Sequence, residues 1–303
     1  KDLNLVEVDD DLAEKLKKEL AVPIFPSVAA AFAEKKFRIA LICSPPIYHS
    51  KQILYCAEQG CDIFVEKPLS HSLVGFKKIV ELIKKKKLVT LVGSNWKFHP
   101  SFQKIKTLID NGTVGKILSA RCQTGKYLPD WHPLEDYRRG YSANKKMGGG
   151  VLLDYHELDY LTWFLGPAIK VACLAKKVSN LEMDAEDVAE IILQFKSGGL
   201  GEIHIDYLQR FAQRNYEFFG ETGTVRWDLN LKKVILQTVQ NGAQEFLEPL
   251  DYELNLMYIE ELKHFLACVH NRQTTITPAE NTKVLELVMA AKESAEKNKI
   301  IKL

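Results

Sequence analysis

Two short apolar runs, RIALIC (38–43) and CDIFVE (61–66), have no polar alternation and are separated by the amphipathic segment YHSKQILYCAEQG (48–60), which closes on Gly60. A strand without a solvent-facing side is covered on both faces, the condition of a parallel sheet flanked by helices. The same alternation surrounds these runs. LNLVEV (3–8) reads as a strand, and DDLAEKLKKEL (10–20) as a helix whose aspartates lie at its positive end. A short PIFPS connection leads to a helix over 28–34. A lysine-rich helix over 73–86 precedes the strand LVTLVG (88–93). The first part of the chain is therefore expected to be α/β.

The pattern changes after a helix over 101–111. KILSARCQTGKY, AIKVACLAKK, DVAEIILQF, GLGEIHIDYLQR, RNYEFFGE, GTVRWDL and KKVILQTV are β-type runs, and KSGG, ETG and QNG between them are hairpin signals. This predicts an open, mixed, largely antiparallel sheet. Its helical partner is LLDYHELDYLTWFLG, stopped by Gly166-Pro167, and two further helices span 254–270 and 278–297. With 303 residues the chain has enough length for two domains with separate cores.

The formal net charge of +2 gives no reason to expect nucleic acid or an anionic membrane as partner, and no stretch approaches the ~20 apolar residues of a membrane span. Lys84 to Lys87 sit at the C-terminal end of a predicted helix, where cations suit the dipole, and read as a solvated helix end. The six cysteines form no CxxC pair. They point to buried free thiols in a reducing compartment rather than to disulfides or a metal site, and with no visible signal peptide the expectation is a cytoplasmic protein.

One glycine pattern is missing. A dinucleotide-binding α/β domain places a glycine-rich turn after its first strand, where backbone N–H groups meet the pyrophosphate. The first glycine here is Gly60. Asp9, at the end of LNLVEVD, would suit the acidic residue that holds the ribose hydroxyls ~20 residues past such a turn. The expectation is that Lys1 is not the natural start, and that one strand, the glycine turn and one helix precede it.

Three segments carry candidate chemistry. CSPPIYH places Ser44, Pro45 and His49 at the carboxyl end of a buried strand, where ligands of parallel sheets bind. FVEKPLS places Glu66 and Lys67 at the next such end, with Lys67 held extended before Pro68 and a cis bond there plausible. GGGVLLDYHELD brings Asp154, His156, Glu157 and Asp159 into a helix start, and only His156 exchanges a proton unaided near neutral pH. Taken singly, the first reads equally as an ordinary loop, and the other two read rather as a surface lysine and a capped helix start with a core histidine.

Their order is what discriminates. SPPxxH, then EKP, then SNWKFHP with Asn95 and Lys97, then GGGxxxD before a helix, resembles the Gfo/Idh/MocA (glucose–fructose oxidoreductase/inositol dehydrogenase) family from about residue 5 to the C-terminus. EDVAEIILQFKSGGLGEIHIDY and GETGTVRWD resemble its sheet strands, and YLPDWHPLEDYRRGYSANKKMGGG a subgroup with sugar substrates. Lys97 stands where the family usually has arginine.

The resemblance implies a Rossmann-like α/β domain over 1–97, lacking its first strand and glycine loop, and an α+β domain over 98–303. The second would carry the open, mostly antiparallel sheet, and its C-terminal helix would pack back on the first. It implies NAD or NADP as cofactor and a sugar or polyol as substrate, with hydride passing between the nicotinamide and a secondary alcohol or ketone. Lys67, Asp154 and His156 match the family's catalytic lysine, aspartate and histidine. Asp9, Ser44, Pro45, His49, Glu66, Lys67 and Asn95 would face the cofactor, and Trp131, Tyr137 and Arg138 would frame the sugar. A homo-oligomer, dimer or tetramer, would form through the open sheet face. One departure stands out: the family sets its histidine three or four residues after the aspartate, whereas the spacing here is two, about 200° apart on a helix. Two other readings remain for such a fold: a non-catalytic cofactor-sensing regulator, and a sugar-binding protein without a cofactor.

Overall fold

The chain is described by a computed structural model covering residues 3–131, 133–153, 156–273 and 277–303. Its first part alternates strands and helices: β1 (Leu5–Val6), α1 (Asp10–Glu19), β2 (Ile24–Phe25), α2 (Val28–Glu34), β3 (Ile39–Ile42), α3 (Pro46–Gln59), β4 (Asp62–Val65), α4 (Phe76–Lys86) and β5 (Thr90–Val92). All pairings among these strands are parallel, in two pieces: β1 with β2, and β3-β4-β5 in that order. Every residue of β4 and β5 is buried, as their unbroken apolar runs demand. β3 is an edge of its sheet, and there Leu41 is 47 % exposed. The PIFPS connection contains β2, a strand that the flanking prolines hid. Helix α3 begins at Pro46, two residues before the expected start, because proline suits a first helical turn.

A short 3-10 turn (Asn95–Phe98) and α5 (Pro100–Asp110) lead into the second part. There follow β6 (Ile117–Gly125), α6 (His156–Leu165), β7 (Ala168–Lys176), β8 (Val188–Phe195), β9 (Leu200–Asp206), β10 (Gln213–Gly220), β11 (Gly223–Asp228), β12 (Lys233–Thr238), β13 (Gly242–Leu247), α7 (Asn255–Asn271), α8 (Pro278–Lys297) and β14 (Ile301–Lys302). Nine strands form one open sheet, β13-β12-β11-β10-β6-β9-β8-β7-β14, antiparallel except for the β6–β9 pair. This is the open, mostly antiparallel sheet anticipated above, with β13 and β14 added at its edges. Its inner face packs on α5, α6 and α8, where Phe102 meets Tyr160, Tyr216 and Trp227 edge to face and Phe164 at a tilt. The outer face carries cross-strand ion pairs, Arg121–Glu202 at 2.9 Å and Arg226–Glu217 at 2.7 Å, beside exposed Leu174 and Ile192.

The two parts interlock. Phe265, Cys268 and Val269 of α7 pack on Phe64, Val89 and Leu91, so α7 covers one face of the first sheet. Helix α8 lies along β7 and also touches β5 and α4. Five cysteines are buried free thiols and Cys43 is an exposed one. No helix among the described residues is long and apolar enough to cross a membrane.

At this junction His99 is fully buried among Trp96, Phe102, Trp227 and Tyr252. It caps α5, its Nδ1 accepting the Ser101 N–H at 3.2 Å, which requires an unprotonated Nδ1. Burial, only partly offset by Glu248 3.8 Å away, pushes its pKa down to about 4. Because the folded pKa lies below the unfolded value near 6.5, the unfolded chain binds the extra proton. The contribution is full above pH 6.5 and is lost as pH falls toward 4, on the order of 3 kcal/mol at the limit. Urea unfolding of wild type and His99→Gln between pH 7.5 and pH 4.5 is expected to give a steeper loss for wild type; parallel curves would exclude this role.

Candidate active site

Ligands of parallel sheets bind beyond the carboxyl ends of the strands, and a cleft of about 250 Å³ opens there. Glu66 and Lys67 reach it directly from the end of β4, and Gly93 and Asn95 from the end of β5. Trp131, Tyr141 and Ser142 come from the long loop after β6, His156 from the first residue of α6, and Tyr258 and Glu261 from α7. Lys67 and His156, 89 positions apart in the numbering and supplied by different halves of the molecule, therefore line one space. The Lys67–Pro68 peptide is cis.

The glycine triplet shapes one wall. Gly148 adopts φ +88°, a left-handed conformation that disfavours side chains, and a Cβ on Gly149 would stand 2.3 Å from Tyr141 O. Gly149 N–H donates to Asn144 O and Gly150 N–H to Ser142 O, at 2.9 and 3.0 Å. This close return holds Tyr141 and Ser142 at the cleft.

His156 is half-buried. Its Nδ1 lies 3.0 Å from the Tyr160 hydroxyl. Burial, then the cationic Lys67, Arg214 and Lys97, hold its pKa well below the ordinary imidazole range. Beneath it runs a buried polar network: Lys97 Nζ donates to Asp159 Oδ1 at 2.8 Å, the Ser94 hydroxyl to Asp159 Oδ2, and Ser94 N–H to Glu261 Oε1 at 2.5 Å. Burial pushes the Glu261 carboxyl up to about 8, with Glu66 adding to the rise, so it is largely protonated near neutrality.

Of the residues singled out in the sequence, Glu66, Lys67, Asn95, Trp131 and His156 meet in the cleft. Others have different placements. His49 is fully buried, its Nδ1 2.9 Å from Pro68 O and its Nε2 2.6 Å from Ser44 O. That geometry corrects the expectation that it faces a cofactor: both nitrogens face backbone carbonyls, and the ring, kept neutral by burial, donates its one N–H to one of them. Ser44 and Pro45 lie at the end of β3, the Ser44 hydroxyl donating to Gln52 Oε1 at 2.5 Å. Asp9 is exposed at the end of β1 and caps α1, accepting Leu12 N–H at 2.9 Å. Tyr137 and Arg138 do not line the cleft. The Tyr137 hydroxyl accepts Glu182 N–H at 3.0 Å, and exposed Arg138 pairs with Asp136 at 2.7 Å and Glu182 at 3.2 Å. Asp154 lies outside the described residues.

Sequence reasoning missed Gly93, Tyr141, Ser142, Tyr258 and Glu261. For Glu261 a signal was present: Met257, Glu261, Phe265 and Cys268 fall on the single buried stripe of α7, and a carboxylate on such a stripe requires a special reason.

The nicotinamide end of a dinucleotide fits this rim. Gly93 has no side chain to fill it, a Cβ there would come within 2.9 Å of Glu66 Oε2, and Asn95 and Lys67 supply polar groups beside it. An α/β half with a ligand rim, closed by a mostly antiparallel half that contributes His156, is an arrangement suited to a dinucleotide-dependent oxidoreductase.

Comparison with known proteins agrees. Residues 3–94 match the oxidoreductase family with an NAD-binding Rossmann fold, and residues 102–226 the GFO/IDH/MocA C-terminal domain. The chain belongs to the Gfo/Idh/MocA family and is an oxidoreductase with an NAD-binding domain. It is 27 % identical to the myo-inositol 2-dehydrogenase of Thermotoga maritima over 308 residues, 98 % of this chain and 89 % of that protein. It is 26 % identical to the scyllo-inositol 2-dehydrogenase (NAD(+)) of Bacillus subtilis over 271 residues, 84 % of this chain and 74 % of that protein. A crystal structure of a probable dehydrogenase from Thermotoga maritima superposes with a TM-score of 0.81 at 26 % identity, covering 99 % of this chain and 91 % of that one. Levoglucosan dehydrogenase in complex with NADH and levoglucosan shares the fold, with a TM-score of 0.88 at 18 % identity over 99 % and 90 % of the two chains.

Proposed function

We propose that the protein catalyses hydride transfer between NAD and a secondary alcohol or ketone of an uncharged sugar or polyol. The observation that carries this reading is the sharing of one cleft by Lys67 and His156. Bound NAD supplies the hydride acceptor. In the oxidation direction neutral His156 takes the hydroxyl proton as the C–H hydride leaves, and the Lys67 ammonium hydrogen-bonds the same oxygen and offsets its developing charge. The depressed pKa keeps His156 unprotonated and competent as a base across neutral pH. Glu261, Tyr141 and Ser142 bind further hydroxyls, and the Trp131 ring offers an apolar face to the sugar C–H groups. Asp154 is assigned a neighbouring hydroxyl.

On the cofactor side, Ser44, Pro45, Glu66 and Asn95 border the dinucleotide. Asp9 accepts a ribose hydroxyl with the carboxylate oxygen that does not cap α1. The names of the inositol and levoglucosan dehydrogenases above support this substrate class. The same reading retains the expectations of a cytoplasmic protein and of a homo-oligomer meeting through the outer sheet face, where Leu174 and Ile192 are exposed.

The test is reduction of NAD, with NADP in parallel, by the protein and a panel of inositols, anhydro-sugars and aldoses. At least one polyhydroxy substrate is expected to be oxidised. Nucleotide binding without turnover would favour a cofactor-sensing regulator, and sugar binding without nucleotide binding a sugar-binding protein; either overturns the proposal.

A further inference from the structure

His156 and Tyr160 lie one turn apart on α6, their rings stacked with centroids 5.5 Å apart and planes tilted by 24°. The Tyr160 hydroxyl is within 3.0 Å of His156 Nδ1 and 3.5 Å of Asn95 Oδ1. Tyr160 is fully buried and Asn95 is 7 % exposed. A phenol has one proton to donate, and an amide oxygen can only accept. If Tyr160 donates to Asn95, its oxygen must accept from His156, and Nδ1 then carries the proton of the neutral imidazole. If it donated to Nδ1 instead, the Asn95 oxygen would lose this donor at a buried position, and Nε2 would carry a proton that bars it from acting as a base.

We infer that Tyr160 is a positioning residue: together with Asn95 it fixes His156 in the Nδ1–H form, so that Nε2 is the atom that accepts the substrate proton. This deepens the reading above and rests on it for the role of His156. It also ties that role to the joining of the two halves, because Asn95 follows β5 of the first sheet while Tyr160 belongs to a helix of the second part. The tautomer of the base is therefore set only when the halves are docked.

The experiment uses protein labelled with 15N at histidine. Long-range 1H–15N correlation of His156 in wild type is expected to report Nδ1–H. In Asn95→Leu the Tyr160 proton is released to Nδ1, and the spectrum is expected to report Nε2–H. In Tyr160→Phe the Nδ1–H form is expected to become the minor one, and kcat for polyol oxidation should fall in proportion to its population, about 10-fold, with KM changed less than about twofold. A packing role alone would lower stability without moving the tautomer. Wild type carrying its proton on Nε2, or Tyr160→Phe with unchanged tautomer and kcat, overturns the inference. Should a variant not fold, the wild-type spectrum decides alone. The tautomer is read without turnover, so an Nδ1–H spectrum in a protein that oxidises no polyol would sink the proposed function and leave the tautomer assignment standing.

Discussion

Replacing Lys67 by methionine is expected to lower kcat for polyol oxidation by about 10²- to 10³-fold, the scale seen when a donor that stabilises developing oxyanion charge is removed. The fold should survive. Lys67 is half-buried at the cleft rim, just past the end of β4, and methionine preserves most of its length. A second effect distinguishes electrostatic from steric loss. After burial, the Lys67 ammonium is the largest influence holding the His156 pKa down. Its removal lets that pKa rise, so the acid limb of the residual activity should move to higher pH, because a base that protonates earlier is lost earlier as pH falls. Steady-state kinetics across pH, with a thermal melt as control, measure both. Near-normal kcat in a folded variant would remove Lys67 from the mechanism.

The largest expected effect on stability falls on Arg214. Glu157 is fully buried beneath the cleft, and its Oε1 accepts from Arg214 Nε at 3.0 Å and from the Tyr216 hydroxyl at 3.3 Å. Arg214 also lies over the Trp96 ring at 4.7 Å. Taking away one partner of a buried ion pair leaves an uncompensated charge, at a cost of about 3–5 kcal/mol. Arg214→Met should therefore lower Tm by roughly 10 °C, and the double variant Arg214→Met/Glu157→Gln should regain most of it, because the stranded charge is gone. A single variant as stable as wild type, or a double variant no better than the single, would contradict this account.

Much of the fold was legible because burial writes itself into residue periodicity. β4 and β5 have no polar position and are covered on both faces. β8 alternates buried with less buried residues and has one face outward. What stayed hidden lacks that signature. β2 is two residues long, and β13 carries no fully buried residue because it is an edge strand. For the site, Lys67 and His156 were legible as motifs, but Tyr258 was not, and the stripe that marks Glu261 as unusual does not say which site it reaches, since only tertiary packing brings α7 to the cleft. His49 lies between carbonyls that follow two different strands, a relation that linear spacing does not encode.

The return of α7 to the first sheet bears on how the protein is made. Phe64 meets Phe265 with ring centroids 5.8 Å apart, and Arg272 pairs with Asp62 at 2.6 Å across 210 residues of sequence. A ribosome must therefore synthesise the chain as far as α7 before that face of the first sheet can be covered. Contacts of such long loop closure form late, and until then Phe64, Val89 and Leu91 remain open to whatever apolar surface the nascent chain encounters.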